Sequence, residues 1–249
     1  PGLMEMVGRL NTPGDHTRLH FAINGFSYAA SQPGKENWRQ MAVAAFGEAL
    51  RKLTDKEAQL FTITQLGHVG KDDAVPYLKS FLHDERLSDA ASRALASINT
   101  ETSNNALVAA LSGASGNAQR SLVQALGDTR YMGALTQISA LANSSDASLS
   151  KVALYALARI ADPASLKQLS KAAAKSAYGY DQTDATSSYL LYLGQLAGNG
   201  HASVAEKEAA KLLKKASKQI HTRSAALKIL TDIQGANSTE LLTKAMKDK

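Results

Sequence analysis

Two histidines, His16 and His20, are four residues apart, a spacing that places two side chains on the same face of a helix. A pair of this kind can bind a metal ion, and Asp15 is its neighbour. The Glu of a His-Glu-x-x-His zinc motif is missing, however, and no third ligand is evident. The pattern therefore favours a surface pair beside a helix start, and it predicts no metal site.

Other side-chain combinations that perform catalysis are also missing from the sequence. The chain has no cysteine, which excludes disulfides, thiolate nucleophiles, Cys-based zinc sites and iron–sulfur clusters. The remaining histidines are scattered over separate segments, and no Ser/His/Asp grouping, Walker motif or Gly-rich phosphate loop occurs. We therefore predict a protein that has neither catalytic activity nor a cofactor.

The first candidate for binding is an irregular segment, residues 176–184. Tyr178 and Tyr180 stand on either side of a glycine there, and Asp181 follows them. Loops often carry binding residues, and flat aromatic side chains provide large contact areas at protein interfaces. Either these residues contact a partner or the tyrosines cover the neighbouring helix ends. A similar candidate is the pair Arg130-Tyr131.

The second candidate is a basic surface near the C-terminus. A helix expected from about Ala202 to Ile220 carries five lysines on one broad face: Lys207, Lys211, Lys214, Lys215 and Lys218. Residues 201–249 contain 10 Lys+Arg and 5 Asp+Glu, whereas residues 1–150 contain 13 and 14, so the net charge of +6 comes from this end. Two interpretations stay open: a docking surface for phosphate or an acidic protein, and a solvated face that keeps a terminal repeat soluble.

A repeated pattern of apolar residues predicts the elements that must position these side chains. A leucine recurs every 29 to 37 residues: Leu66, Leu95, Leu126, Leu157, Leu193 and Leu230. Twelve residues after each leucine comes another apolar position: Leu78, Leu107, Ile138, Leu169, Ala205 and Leu242. A short polar turn separates the two series, as at Asp162-Pro163, where an N-cap residue precedes a proline suited to a first helical turn. Each unit is therefore predicted to be a helix, a tight turn and a second helix.

One such helix pair cannot bury its apolar face alone, so neighbouring pairs must stack. We therefore predict an all-α protein, an α-α superhelix (solenoid) of about seven antiparallel helix pairs, forming a single domain over residues 1–249. Residues 1–55 are expected to form a divergent first pair, with helices ending near Ala30 and running from about Glu36 to Leu53. Residues 56–249 are expected to hold about six repeats, with the six recurring leucines buried between them.

The segment Leu66-Gly67-His68-Val69-Gly70-Lys71-Asp72-Asp73-Ala74-Val75-Pro76-Tyr77-Leu78 resembles the consensus of HEAT-like repeats. In that family a Leu-Gly pair ends the first helix, Gly-Asp forms the turn, and Ala-Val-Pro-x-Leu opens the second helix. The period near 30 is similar to that of the compact, phycobilin-lyase-type repeats. The opening region also resembles HEAT-like arrays of exported bacterial proteins that contain sugar-processing domains.

The resemblance implies a non-catalytic scaffold whose stacked second helices offer an extended surface to a protein or peptide partner. One alternative is binding of a nucleic-acid phosphate backbone through the basic C-terminal repeats; another is an accessory module of a larger, exported sugar-processing protein. A periplasmic or otherwise exported location is favoured over a cytoplasmic one. No apolar run in the sequence approaches the length that spans a bilayer.

Overall fold

The computed structural model describes residues 2–246, with side chains described through residue 243. All regular structure in that range is helical, and no strand occurs in it. The all-α prediction is confirmed. The chain divides into two compact units, Pro1–Thr129 and Arg130–Lys249; the prediction of a single domain over residues 1–249 stays a prediction.

The first unit contains eight helices among its described residues. They are α1 (Gly2–Gly8), α2 (Thr17–Ala30), α3 (Glu36–Leu50), α4 (Lys56–Val69), α5 (Val75–Leu78), α6 (Ser88–Ile98), α7 (Glu101–Leu111) and α8 (Gly116–Asp128). Helices α2 and α3 lie where the sequence predicted the two helices of the first pair, and α3 ends three residues early. That residues 1–55 form a divergent first pair stays a prediction. The short helix α1, which packs on α3, was not predicted.

The second unit contains seven helices among its described residues. They are α9 (Leu135–Leu141), α10 (Ala147–Ile160), α11 (Leu166–Lys175), α12 (Ala185–Leu196), α13 (Ala202–Lys215), α14 (Ile220–Gln234) and α15 (Thr239–Met246). The six pairs α4–α5 through α14–α15 follow one another in sequence as predicted. The turn between α12 and α13 lies at Asn199 and Gly200, where the backbone leaves the helical conformation.

The recurring leucines form the core of the repeats. All six lie on the first helix of a pair, and none is more than 2% exposed. The prediction that they are buried is confirmed. The second series, twelve residues on, is also fully buried from Leu78 to Ala205, but Leu242 is 42% exposed. Leu242 differs because no described element follows α15 to cover it.

Small side chains allow consecutive first helices to approach closely. At Gly67 of α4, an added Cβ would lie only 3.0 Å from the Cα and Cβ atoms of Ala94 on α6. This contact is tighter than most side-chain packing, so a larger residue at position 67 would force Ala94 to move by a few tenths of an ångström.

Three of the turns within the repeats share one backbone conformation. Asn99, Arg130 and Ala161, each four residues after a recurring leucine, share a left-handed backbone with φ between +47° and +55°. Such a residue commonly ends a helix, and glycine is the usual choice for it. Its recurrence at equal positions in three consecutive repeats shows that these residues are structurally equivalent.

Arg39 of the first pair bonds to the turn of the next repeat. Its guanidinium donates two hydrogen bonds to Asp73, at 3.0 and 2.8 Å, one to the Val69 carbonyl at 3.1 Å, and others to Glu36. The bonds from Arg39 and Lys71 lower the pKa of Glu36 to about 2. Burial by itself would raise the pKa of Asp73, but the bonds from Arg39 and the Lys71 N–H hold it below its usual value. The Arg39 side chain is only 8% exposed, so the cluster is shielded from solvent on that side.

The buried leucine series predicts a large effect of cavity creation. Leu126→Ala should lower the free energy of unfolding by roughly 2–5 kcal/mol, because Leu126 is fully buried in α8. Leu60→Ala is the matched control, since Leu60 is 37% exposed and should cost less than about 1 kcal/mol. Urea denaturation measures both. Equal losses for the two variants would contradict the assignment of Leu126 to the repeat core.

The Arg39 cluster predicts a specific acid sensitivity. The folded-state pKa values of Glu36 and Asp73 are depressed, so the stability they contribute is present above pH 5 and is lost as the pH falls toward 2. Arg39→Met should destabilise the protein by roughly 1–3 kcal/mol at pH 7 and flatten its stability curve between pH 5 and 3. Urea denaturation across that range measures the slope. An unchanged slope would show that Arg39 is not responsible for the depressed pKa values.

Candidate functional site

Residues from two predicted binding surfaces, the 176–184 loop and the basic surface, line one cleft in the second unit. The cleft has a volume of about 250 Å³ and is lined by Tyr178 from the 176–184 loop and by Lys211 and Lys215 from α13. Helix α11 contributes Lys171, and Tyr189 and Glu208 also line the cleft. We call this site the tyrosine–lysine cleft.

The way in which α11 ends places Tyr178 in the cleft. The N–H of Tyr178 donates to the Ala173 carbonyl at 3.0 Å and that of Ala177 donates to the Ala174 carbonyl at 3.1 Å, which together form a Schellman motif. Ala177 and Tyr178 both have left-handed backbones, with φ of +50° and +60°. This conformation costs an L residue about 1–2 kcal/mol. The chain therefore enters the cleft through a strained turn.

Hydrogen bonds from two helices hold the strained turn in place. The hydroxyl of Thr222 on α14 donates to the Tyr178 carbonyl at 2.8 Å, and that of Thr186 on α12 donates to the Gly179 carbonyl at 2.9 Å. Tyr178 is half-buried as a result. Tyr180, two residues on, is 87% exposed and does not line the cleft. The structure thus separates two tyrosines that the sequence treated as one candidate.

Glu208 is the carboxylate of the tyrosine–lysine cleft. It accepts hydrogen bonds from Lys211 Nζ at 2.6 Å and from the Tyr189 hydroxyl at 3.2 Å. Burial, together with the charge of Glu208, raises the pKa of Tyr189 well above its usual value of 10.0. The phenol therefore stays protonated and keeps donating to Glu208. Each oxygen of this carboxylate therefore accepts one hydrogen bond from a side chain of the cleft.

The five lysines of the basic surface are all exposed, but they do not share one helix. Helix α13 ends at Lys215, so the prediction of a helix through Ile220 is wrong. Lys218 lies in the turn that follows, and Ile220, expected on the apolar side, is 74% exposed at the start of α14. Lys207, Lys214 and Lys218 do not line the cleft. Their proposed binding role stays a prediction.

The sequence did not lead us to predict Lys171 and Lys175 of α11 as candidate binding residues, although the repeat pattern contains a signal for them. Leu169 and Ala205 are equivalent buried positions on the second helices of consecutive repeats. Two residues after them come Lys171 and Lys207, and six residues after them come Lys175 and Lys211. The two second helices therefore carry lysines at matching positions. Aligning the repeats on their buried residues would have shown this match from the sequence.

Asp181 helps to start α12 and lines a different cleft. One carboxylate oxygen, Oδ1, accepts hydrogen bonds from the N–H and hydroxyl of Thr183, at 3.0 and 2.9 Å, and from the Ala185 N–H at 3.3 Å. This second cleft, of about 260 Å³, is lined by Asn143, Ser144, Gln168, Lys171, Lys175 and Thr183 as well. We call it the amide cleft. The expected partner contact of Asp181 stays a prediction.

The Arg130-Tyr131 candidate lies apart from both clefts. Arg130 is exposed and occupies the left-handed position described above, so its backbone serves the turn. The Tyr131 ring lies over Gly133, where an added Cβ would come within 2.6 Å of a ring carbon. This packing accounts for the glycine at position 133. A role of the pair in partner binding is untested.

The two histidines of the first unit have local contacts. The His16 imidazole lies 2.6 Å from the Thr12 carbonyl, and the His20 ring stacks on Phe61 with their centroids 4.2 Å apart. No group of three or more metal-ligating side chains occurs in the part of the chain that the structure describes. Likewise, none of the described helices is both long and apolar enough to cross a membrane.

Comparison with protein families agrees with this architecture. Residues 104–189 match the family model for HEAT repeats, a stretch that includes α8 to α11, Tyr178 and the start of α12. Over this stretch the chain is similar to HEAT repeats, in agreement with the resemblance of residues 66–78. A comparison with curated proteins finds no match.

The strained turn before the cleft predicts an unusual stabilising substitution. Ala177→Gly should raise the free energy of unfolding by roughly 0.5–1 kcal/mol, because glycine adopts a left-handed backbone without a Cβ penalty. Ala210→Gly makes the same chemical change at an exposed position inside α13 and should instead cost about 0.5–1 kcal/mol. Urea denaturation distinguishes the two signs. Destabilisation by both variants would contradict the strained Schellman motif.

Proposed function

We propose that the chain is a non-catalytic scaffold that binds a partner protein, and that the tyrosine–lysine cleft receives an acidic segment of that partner. HEAT repeats commonly serve as protein-interaction scaffolds, which supports the general role. The specific site rests on one observation: Tyr178, Lys171, Lys211 and Lys215 line the same cleft.

The charges of the cleft favour an anionic ligand. Three lysines and one glutamate line it, and Glu208 is already bonded to Lys211. Lys171 and Lys215 have no carboxylate partner among the described residues. Two unpaired ammonium groups beside a half-buried aromatic ring can bind a carboxylate while the ring contacts apolar atoms of the same segment.

The distribution of lysines favours a protein partner over a nucleic acid. Binding along a phosphate backbone needs cations on several repeats, yet the lysine pattern of α11 and α13 is confined to those two helices. The positions equivalent to Lys171 and Lys175 in the earlier repeats carry no cation: Ser80 and Asp84, Ala109 and Gly113, Ala140 and Ser144. An acidic segment that needs only one or two repeats fits this pattern better.

If the acidic segment binds in the cleft, reversing the charge of cleft lysines should weaken binding. Reversing lysines elsewhere on the basic surface should have a smaller effect. Lys171→Glu with Lys215→Glu should weaken binding of a fluorescein-labelled, ten-residue Asp/Glu peptide by about tenfold or more at low salt. Lys214→Glu with Lys218→Glu is the control, because it changes the net charge equally outside the cleft. Fluorescence anisotropy measures affinity, and thermal melting checks the fold.

Three outcomes would count against the proposal. Equal weakening by both lysine pairs would mean a diffuse electrostatic attraction with no role for the cleft. Equal binding of the Gln counterpart of the peptide would remove the requirement for acidic groups. Tighter binding of a twelve-nucleotide single-stranded DNA than of the acidic peptide would favour the nucleic-acid alternative.

A further inference from the structure

The tyrosine–lysine cleft and the amide cleft are neighbours on the two sides of α11. Lys171 lines both of them, and the 176–184 loop contributes Tyr178 to one and Asp181 to the other. Helix α11 itself contacts α9, because the Gln168 side-chain amide donates to the Ser139 carbonyl at 2.7 Å. A ligand lying across α11 can therefore occupy both clefts.

The two clefts differ in chemistry. The tyrosine–lysine cleft has unpaired cations, whereas the amide cleft has neutral hydrogen-bonding groups such as Asn143, Ser144 and Thr183. Its charged groups are Lys171, which it shares with the tyrosine–lysine cleft, Lys175 and Asp181. Amides and hydroxyls both donate and accept hydrogen bonds, as a peptide main chain requires. The amide cleft thus suits an uncharged stretch of extended chain, and the tyrosine–lysine cleft suits acidic side chains.

The spacing of the helices sets the length of such a ligand. Packed helices lie about 8–10 Å apart, and an extended chain advances about 3.3 Å per residue. Crossing from the residues that follow α9, over α11, to α13 takes at least two such spacings, or roughly 20 Å and more. A segment of about six extended residues covers that distance, and each helix spacing corresponds to about three residues.

We propose that the partner binds as an extended segment of about six or more residues that lies across α11. Its acidic residues occupy the tyrosine–lysine cleft, and its uncharged polar residues occupy the amide cleft. This inference rests on the proposed function and adds the conformation, the minimum length and the charge pattern of the bound segment. It also assigns a binding role to the uncharged side chains of Asn143, Ser144 and Thr183.

A set of three synthetic peptides tests the inference. The short probe has four glutamates, and the long probes extend these by six Ser, Asn and Gly residues at either end, because either chain direction is allowed. All are capped and fluorescein-labelled. The longer probe of the preferred direction should bind at least fivefold more tightly than the short one. Equal affinities of the short probe and both long probes would overturn the inference.

A blocking substitution locates the second contact. Asn143→Trp, at an exposed position lining the amide cleft, should remove the advantage of the long probe and leave the short probe unaffected. Ser145→Trp is the matched control, since Ser145 is exposed and does not line that cleft. Equal effects of the two variants would overturn the inference. If the short probe binds and its binding depends on Lys171 and Lys215, the proposed function is still upheld. If no probe binds, the proposed function is refuted.

Discussion

Contact between the first helices of consecutive repeats is the interaction on which the rest of the structure depends. A single helix pair leaves an apolar face uncovered, so pairs stack within each unit, as α4, α6 and α8 do in the first unit and α10 and α12 do in the second. The contact is close where small residues permit it, as at Gly67 against Ala94. This requirement limits which residues the first helices can carry where they contact each other. The second helices and the loops that follow them carry fewer core residues, so the candidate site is built from these elements.

Charged and polar residues at the turns supplement the apolar contact between repeats. Arg39 bonds to Val69 and Asp73 across the first repeat boundary, and the Tyr192 hydroxyl donates to the Asp162 carbonyl at 3.1 Å farther along the chain. Burial, and then the charge of Asp162, raises the pKa of Tyr192 to about 12, so this donor stays protonated at neutral pH. These bonds have direction, which a hydrophobic contact lacks. They help to set the register in which one pair stacks on the next.

The sequence predicted the repeated core because a buried face needs apolar residues at fixed intervals, and the six leucines obey that rule. It failed where structure depends on the end of an element, because α13 stops at Lys215, short of Ile220. The cleft itself was not predicted. Its formation depends on a Schellman motif with alanine where glycine is usual, and no composition rule indicates that motif. Lys171, by contrast, could have been predicted by aligning the repeats on their buried residues.

The bond from Thr222 to the Tyr178 carbonyl connects the candidate site to α14. Segments of a folded protein can open locally at a lower free-energy cost than global unfolding. Opening of α14 would release the turn that holds Tyr178, so a ligand bound in the cleft would favour the closed form. Occupancy of the site and protection of α14 amide protons from solvent exchange would therefore be thermodynamically linked. Helix α14 would act as a sensor of the bound state even though it does not line the cleft.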